Sequence, residues 1–466
     1  MANDDSRGDP AFGLAAHVTG ARFADIPRDC IDAAKRDVLD TLGAMLGGSS
    51  APGIAELARV TQRWGGLEES SLLVFGGKMP AHHAAMMNSA MGHALDFDDT
   101  LDRGGNIHPG TSVLAASLAA AEASGGAVGE DLILAVTLGL DVSCRLALAA
   151  HDDRGWHRTG TFGIFGATAA AGKLLVLDER QMVHALGIAY SQAAGNRQCI
   201  ADGALTKRFQ AGQAAHGGVL SAVLAKEGFT GAGNVFTGQY GFFPMYQPDG
   251  YDLAPIYDGL GEVFLGNELS HKPYPCGRPT HTYIDAAIEL HRSLDLPNFD
   301  VESIEVTTNE DTYQAQFHPS KINSKPQNQV ESQFSLPYLI GAGLALGRVG
   351  IDQVTDLENP TVLAMADRIT GSYREDVPRG WGKIEVYRSD GSSGAVELAP
   401  PSGSPINPLS AAQIEEKFRD CAAHALRPLD REISDAIIEL VLCLQDVRDL
   451  SELINLACHI RPAPLA

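Results

Sequence analysis

The sequence predicts a mainly α protein, with a large all-helical domain formed by both chain ends and a smaller α+β domain inserted near the C-terminal third. From residue 26 to 228, long Ala- and Gly-rich segments are separated by Gly or Pro clusters, which is typical of short helix–helix connections. Near residue 266 the pattern changes, and two later segments alternate apolar and polar residues as half-buried strands do. Helical patterning returns after 400–405, so we expect one domain over 1–266 with 405–466 and another over 267–404.

Each element has its own local signal, because Gly and Pro mark its ends and the spacing of apolar residues gives its type. In the first part we predict helices at 28–46, 54–64, 81–96, 112–124, 130–149, 162–174, 179–194 and 206–226. In the inserted part we predict helices at 283–294, 335–346 and 363–369, and strands at 303–308, 383–387 and 395–398. The last two strands flank a Ser-Asp-Gly turn and are expected to form a hairpin. The final helices are predicted at 411–425 and 430–444.

Composition limits the possible partners. The chain has 466 residues, with 58 acidic against 35 basic residues and a formal charge of −23, which would repel phosphate backbones and anionic bilayers. We therefore expect neither nucleic acid nor a membrane as a partner. The most apolar stretch, 132–150, is interrupted by Asp141 and Arg145 and is not expected to span a bilayer.

Cysteine usage and the N-terminal residues bear on location. The seven cysteines are scattered and form no Cys-x-x-Cys pair, which favours a reducing compartment over a disulfide framework or a zinc ribbon. The first residues are polar and acidic, without the basic start and apolar core of an export signal. We expect a cytoplasmic protein.

The most informative segment is 92–100, followed eight residues later by His108-Pro109-Gly110, because it brings carboxylates, a hydroxyl and an imidazole together. The preceding residues favour helix, so we expect Asp96, Asp99 and Thr100 to share one helix face. For any single aspartate, a buried structural pair with Arg or Lys is the simpler interpretation. The whole group is better explained as a site of proton chemistry.

Four further segments carry polar residues that are unusual in so Ala-rich a chain: 156–161, 205–208, 270–281 and 332–338. They supply the candidates for substrate binding, which are His157, Arg158, Lys207, Arg208 and Tyr274, and the candidate catalytic residue Lys272. An interhelical hydrogen bond is the alternative for His157, and a surface position is the alternative for each lysine. Helix starts in these segments also offer free N–H groups to carboxylates.

A magnesium site is the alternative interpretation of the same acids. Asp96, Asp98 and Asp99 could hold Mg²⁺, but no second acidic cluster of comparable density exists to complete a cage. We therefore predict no metal.

Four ordered motifs together resemble the MmgE/PrpD family: ALDFDDT at 94–100, HPG at 108–110, KPYPC at 272–276 and QFSLPY at 333–338. The family includes 2-methylcitrate dehydratases, cis-aconitate decarboxylases and iminodisuccinate epimerases, which act without an organic cofactor on small substrates with two or three carboxylates. The resemblance spans most of the chain. It implies a helical domain built from both chain ends, a smaller α+β domain, an active site in the cleft between them, and a homodimer.

The resemblance also carries roles to individual positions. The residues that match the family's site are Asp96, Thr100, His108, His157, Lys207 and Lys272. Two positions depart from the family pattern: Leu101 stands where the decarboxylases and many dehydratases carry an aromatic residue, and Cys276-Gly277 stands where the decarboxylases carry a histidine. These departures argue against decarboxylation more than against the family.

We therefore predict a cofactor-independent enzyme that removes a proton from carbon next to a carboxylate. Lys272 and His108 would transfer protons while Asp96 and Thr100 orient the histidine or the substrate. Cations and helix starts would hold the substrate carboxylates and stabilise the developing negative charge. Epimerisation of an iminodisuccinate-like substrate is the preferred reaction. The alternatives are dehydration of a methylcitrate- or citrate-like acid, cis-aconitate-type decarboxylation, and a helical binding protein without activity.

Overall fold

The computed structural model describes residues 8–151, 154–294, 301–317 and 324–458, and within them the protein is mainly helical. Residues 1–7, on which the expected lack of an export signal depends, lie outside this part of the chain. The helices of the first part are α1 Pro10–Gly20, α2 Arg28–Gly48, α3 Ile54–Trp64, α4 Ala81–Gly92, α5 Pro109–Ala123, α6 Gly129–Ala149, α7 Arg158–Leu174, α8 Glu179–Tyr190, α9 Gln198–Ala201, α10 Thr206–Lys226, α11 Phe242–Tyr246 and α12 Ala254–Tyr257. A short antiparallel pair, β1 Ser70–Ser71 and β2 Lys78–Met79, lies between α3 and α4.

The later part of the chain mixes helices and strands before it returns to helix. Its helices are α13 His281–Ser293, α14 Glu310–Thr312, α15 Gln329–Phe334, α16 Leu336–Leu346, α17 Ile351–Thr355, α18 Pro360–Ala366, α19 Ala411–Ala423, α20 Arg431–Leu442 and α21 Ser451–Ala457. Its strands are β3 Val301–Asn309, β4 Ile369–Arg374, β5 Gly382–Arg388 and β6 Ser393–Leu398. The predicted helices and the three predicted strands are present here, with ends that differ by a few residues.

The helices α2, α4, α5, α6, α7 and α10 pack around the largest hydrophobic core. Small residues let them approach closely. A side chain at Gly166 of α7 would collide with the hydroxyl of Ser143 and the carbonyl of Gly139 on α6. The same core also receives apolar side chains from α19, α20 and α21 near the C-terminus, including Phe418 and Ile437.

Helix α6 is long and apolar enough to cross a membrane by length and composition, although the sequence analysis excluded such a span. It lies inside the protein instead, with 94% of its most apolar window buried. Its two interior charges neutralise each other, because Arg145 Nε lies 2.7 Å from a carboxylate oxygen of Asp141. The same guanidinium donates to several backbone carbonyls, including that of Asp258 at 2.8 Å. Burial inside the bundle explains the apolar composition of α6.

A four-stranded sheet lies in the inserted part, in the order β4-β3-β5-β6. Strands β3 and β4 are parallel and the other pairs are antiparallel. Ile304 of β3 lies opposite Val386 of β5, and both are buried against α13 and α16 in a separate core. Strand β4 is the one strand of this four-stranded sheet that was not predicted from the sequence. The domain boundaries at 267 and 404 stay a prediction.

Candidate active site

The segment between α4 and α5 positions most of the candidate residues, and its conformation differs from the predicted helix. Helix α4 ends at Gly92, not at Asp96, and His93, Ala94 and Leu95 form a turn instead. Asp96 adopts a left-handed conformation with φ 52°, which aspartate tolerates better than most residues. The expectation that Asp96, Asp99 and Thr100 share a helix face is therefore wrong.

Asp96 is the centre of a buried charge cluster. The ammonium of Lys272 donates to the backbone oxygen of Asp96 at 2.9 Å and also to its carboxylate. Lys207 Nζ lies 3.3 Å from the second carboxylate oxygen. Burial by itself would raise the pKa of Asp96, but the charges of Lys207 and Lys272 outweigh it and hold the pKa well below its usual range. One ionised carboxylate therefore holds two lysine cations.

His93 links this cluster to a second acid. Lys207 Nζ lies 2.7 Å from His93 Nε2, and the ammonium has only donors, so this nitrogen must carry a lone pair. The other ring nitrogen, Nδ1, then carries the proton and donates to Asp98 at 2.6 Å. Burial and the charge of Lys207 lower the pKa of His93 well below its ordinary value, so the ring is neutral. His93 had no predicted role, although this residue lies within the most informative segment, 92–100.

His108 offers a base beside the charge cluster. Its Nδ1 lies 2.6 Å from the backbone oxygen of Asp99, so Nδ1 carries the proton and Nε2 carries a lone pair. Its ring centroid lies 5.1 Å from that of His93. Burial, followed by the charge of Lys272, lowers the pKa of His108 well below its ordinary value. A neutral imidazole with a free Nε2 is the form that accepts a proton.

His157, at the start of α7, has the same tautomer for a different reason. Its Nδ1 lies 2.8 Å from Gln210 Oε1, and the Gln210 amide is oriented by Asn196, which donates to Oε1 and accepts from Nε2. His157 therefore donates from Nδ1. Its Nε2 is buried and has no hydrogen-bond partner in the described part of the chain. The ring stacks on His93 at 5.4 Å, which places this free lone pair beside the cluster.

Thr100 fixes the position of Lys272 through the backbone. Thr100 and Ser270 form an isolated antiparallel bridge, with N–H to oxygen distances of 2.9 and 2.8 Å in the two directions. Lys272 follows two residues after Ser270 and is fully buried. The hydroxyl of Thr100 makes no hydrogen bond to another described residue, so it stays available to a ligand.

The two candidate arginines differ sharply. Arg208 donates to the backbone oxygen of Pro52 at 2.8 Å, and no second hydrogen bond of its guanidinium to a described residue is present. Burial lowers its pKa to about 10, while the charge of Asp96 opposes this shift. Arg208 therefore remains a cation near Asp96 with donors to spare.

The contacts of Arg158 do not support its predicted role in substrate binding. Its guanidinium donates to the backbone oxygens of Gly104, Gly105 and Ala147 at 3.0 to 3.1 Å, and to that of Ala150 at 3.4 Å. These contacts tie the loop after Thr100 to the end of α6. Arg158 is a structural clamp because both terminal nitrogens of its guanidinium already donate to backbone carbonyls.

The contacts of Tyr274 do not support its predicted role as a substrate ligand either. Its hydroxyl donates to a carboxylate oxygen of Asp285 at 2.6 Å, and the other oxygen of Asp285 accepts from the backbone of Ser402. The ring packs against His281 at 5.2 Å. Tyr274 therefore organises the segment that follows Lys272 and offers no free hydroxyl to a substrate.

Two further residues, Cys276 and Gln333, adjoin the Lys272 and Asp96 segments. Cys276 is fully buried, its sulfur lies 3.3 Å from the hydroxyl of Thr280, and burial raises its pKa to about 12. It therefore keeps its proton at neutral pH and is not a nucleophile. Gln333 donates from Nε2 to the backbone oxygen of Leu95 at 2.6 Å, which joins the inserted part of the chain to the residue before Asp96.

The site is suited to an anion rather than to a cation. Metal-ligating atoms of His93, Asp98 and His108 do lie within 4.8 Å of one another. However, Nε2 of His93 already accepts from Lys207, and the charges of Lys207 and Lys272 would repel a metal ion. Lysine and arginine cations beside neutral imidazoles can instead bind a polycarboxylate and accept or return its protons.

Sequence comparisons identify the family of the chain. The MmgE/PrpD N-terminal domain matches residues 13–253, and the MmgE/PrpD C-terminal domain matches residues 274–446. The chain is 27% identical to a cis-aconitate decarboxylase of Aspergillus terreus, over 92% of this chain and 93% of that protein. It is 28% identical to the human cis-aconitate decarboxylase, over 96% of this chain and 93% of that protein. A cis-aconitate decarboxylase-like protein of Aspergillus oryzae is 27% identical, over 95% of this chain and 96% of its own length.

These matches cover both parts of the chain and confirm the resemblance drawn from its motifs. The matched ranges contain every candidate residue except Lys272, which lies between them. The chain belongs to the MmgE/PrpD family of enzymes.

Proposed function

We propose that this enzyme transfers a proton at a carbon next to a carboxylate of a small di- or tricarboxylate, without an organic cofactor. The proposal rests on one observation: a deprotonated base and a protonated acid lie at the same site. His108 is neutral with a free Nε2, while Lys272 is an ammonium paired with Asp96. A base and an acid are thus present together.

The cations account for the substrate class. A proton next to a carboxylate is removed only if the enolate-like charge that develops is stabilised. Lys207 and Arg208 are buried cations close to Asp96, and each donor aimed at that charge contributes about 3 kcal/mol in a water-poor site. Arg208 and the free hydroxyl of Thr100 can also bind a second carboxylate.

Epimerisation is the reaction that we prefer. His108 Nε2 takes the proton, the C–H electron pair moves into the adjacent carboxylate, and Lys272 gives a proton to the opposite face of the same carbon. The substrate is neither oxidised nor reduced, and its formula is unchanged. His108 then releases its proton to solvent while Lys272 regains one, which restores the starting state.

The tautomer of His157 supports a substrate with an N–H or O–H group. Its Nε2 is a buried acceptor without a partner among the described residues, and Gln210 prevents the proton from moving to that nitrogen. An iminodisuccinate offers a secondary amine and a citrate offers a hydroxyl, whereas cis-aconitate has only carboxylates and an alkene. A buried acceptor favours a ligand that can donate to it.

Decarboxylation is the second candidate, because the relatives described above are named cis-aconitate decarboxylases. In that reaction the bond to a carboxylate would break, carbon dioxide would leave, and Lys272 would protonate the remaining carbanion. The resemblance places a histidine of the decarboxylases at Cys276-Gly277, and the buried thiol of Cys276, with its raised pKa, cannot supply the imidazole base or cation of a histidine. Dehydration of a citrate-like acid would use the same base, with Lys272 protonating the leaving hydroxyl.

Proton NMR in D₂O separates these reactions. The full-length enzyme is incubated separately with iminodisuccinate stereoisomers, 2-methylcitrate and cis-aconitate. We expect deuterium to enter iminodisuccinate next to its carboxylates while the diastereomers interconvert. An alkene product from 2-methylcitrate would establish the dehydratase instead, and release of carbon dioxide from cis-aconitate would establish the decarboxylase.

Two variants connect the reaction to the site. Lys272→Met keeps most of the side-chain volume and removes the acid, and His108→Asn removes the base. Both are expected to abolish exchange, whereas Lys226→Ala, at an exposed position of α10, leaves it unchanged. Absence of exchange, water loss and decarboxylation with all three substrates would contradict the proposal and favour a binding protein.

A further inference from the structure

Three histidines cluster between α4 and α10, apart from the residues of the candidate active site. His82 and His83 lie in the first turn of α4, and His216 lies on α10. Their ring centroids are separated by 4.3 Å for His82 and His83, 4.9 Å for His82 and His216, and 5.8 Å for His83 and His216. One nitrogen from each ring lies within 4.8 Å of the other two. Three imidazoles from two helices thus converge on one point.

No hydrogen bond explains this arrangement. None of the three imidazoles bonds to another residue in the described ranges, and Nδ1 of His83 is buried without a partner. Buried polar atoms are normally paired, so an unpaired nitrogen in a cluster of lone pairs calls for a ligand. The ring of Trp64 packs on His83 at 5.4 Å and covers one side.

The cluster is chemically ready to bind a cation. Burial lowers the pKa of His82 and His83, and it lowers that of His216 to about 4, helped by the two neighbouring histidines. All three rings are therefore neutral at pH 7, which is the form that ligates metals. The carboxylate of Glu69 acts on His82 and supplies negative charge nearby. Its Oε2 accepts from the backbone of Ala81 at 3.0 Å.

We propose that His82, His83 and His216 form a binding site for a divalent transition-metal ion of the zinc class. Three imidazoles suit Zn²⁺, Ni²⁺ and Cu²⁺, and Zn²⁺ takes nitrogen ligands at about 2.0 to 2.1 Å in a tetrahedral arrangement. The fourth position belongs to water or to Glu69. All three side chains are only half-buried, so the ion can enter from solvent and small rotations can bring the nitrogens onto it.

The ion would cross-link α4 and α10. His216 lies nine positions after Lys207 on α10, about 13 Å along the helix axis, so the ion would not contact the substrate. The chain continues from α4 into His93, and α10 carries Lys207 in its first turn. Both partners of the contact between His93 and Lys207 are thus anchored by the two helices that the ion would join.

Metal binding to the full-length protein tests this proposal. A protein without a purification tag is treated with a chelator and dialysed, then titrated calorimetrically with Zn²⁺ alone. We expect one ion per chain and a rise in Tm with zinc, since a ligand that binds the folded state stabilises it. His216→Ala and the double variant with His83→Ala should weaken zinc binding at least tenfold. His151→Ala removes a lone exposed histidine and should change nothing.

A spectroscopic measurement covers the case in which the variants fail to fold. Wild-type protein loaded with one equivalent of Cu²⁺ should give an electron paramagnetic resonance spectrum with coupling to imidazole nitrogens. A large excess of zinc should reduce this signal, because both ions compete for the same nitrogens and copper binds them more tightly. Equal zinc affinity in the folded double variant, or no nitrogen coupling in the wild type, would overturn the proposal. Neither result depends on the reaction that the enzyme catalyses.

Discussion

Gln210 controls the proton position of His157, because its carbonyl oxygen lies 2.8 Å from Nδ1 and its amide is held by the backbone of Asn196. The unprotonated Nε2 of His157 depends on this single contact. Gln210 contacts neither the lysine cluster nor, in the proposed mechanism, the substrate. It is therefore a positioning residue whose effect is best seen in a pH profile.

Gln210→Glu should move the acid limb of kcat/KM to higher pH by about one unit or more. The new carboxylate would stabilise the imidazolium and raise the pKa of His157, which burial now holds well below its ordinary value. The profile is measured with the substrate identified by NMR. Gln213→Glu, at an exposed position of the same helix, should leave it unchanged. An identical profile for both variants would show that the His157 tautomer is irrelevant to turnover.

Lys272→Met should reduce kcat by about 10² to 10⁴, the usual contribution of a positioned acid or base. Folding should survive, since Lys207 still neutralises Asp96 and the methionine fills most of the space. Rapid-mixing kinetics and circular dichroism check both expectations. Lys226→Ala is the matched control. Retention of more than half of the wild-type kcat would exclude Lys272 as the acid.

Substitution of each arginine by glutamine should affect a different property of the enzyme. Arg208→Gln should raise KM about tenfold, equal to about 1.4 kcal/mol of binding, because a cation near Asp96 is lost. Arg158→Gln should instead lower Tm, since it leaves carbonyls of the 104–105 loop without donors. Steady-state kinetics and thermal unfolding are measured on both proteins. A KM effect confined to Arg158→Gln would reverse the assignment.

Stability should depend on pH through His157. The folded state holds the pKa of this ring well below 6.5, so between pH 6.5 and that lower value only the unfolded state takes up the proton. Wild-type protein should therefore lose about 1.4 kcal/mol per pH unit relative to His157→Asn as the pH falls below 6.5. Urea unfolding of both proteins at pH 7.5 and 5.5 measures the difference. Parallel pH dependence would mean that His157 titrates normally in the folded protein.

Alkylation should label Cys443 first. This thiol is exposed, whereas Cys30, Cys144, Cys199, Cys276, Cys421 and Cys458 are buried and burial raises the pKa of each of these six. Mass spectrometry after brief treatment with iodoacetamide identifies the modified residue, and activity should be retained. Loss of activity that follows modification of Cys276 would contradict its assignment as an inert packing residue.

Much of the fold could be predicted because helix signals are local. The predicted helices 54–64 and 206–226 match α3 and α10 to the residue. Strand β4 was missed because it is mostly exposed, contains Gly371, and gains its identity from parallel pairing with the distant β3. No local pattern reports such a partner.

For the candidate site, the sequence was informative about some residues and not about others. Residue type was sufficient to single out Lys207, Lys272 and His108, which the structure brings into one cluster, while their roles stay a prediction. It was insufficient for Arg158, because its partners are backbone carbonyls, which every residue has. The end of α4 was predicted four residues too late, at Asp96, where the backbone is left-handed with φ 52°.

Because of the backbone bridge between Thr100 and Ser270, the position of the lysine and the shape of the site can change separately during evolution. Main-chain hydrogen bonds hold the Asp96 segment beside the Lys272 segment, and they do not depend on which side chains stand at positions 100 and 270. Substitutions at nearby positions such as Leu101 and Cys276 can therefore alter the shape of the site without moving the lysine from its carboxylate. A scaffold of this kind can acquire new substrates while it keeps the same proton-transfer machinery.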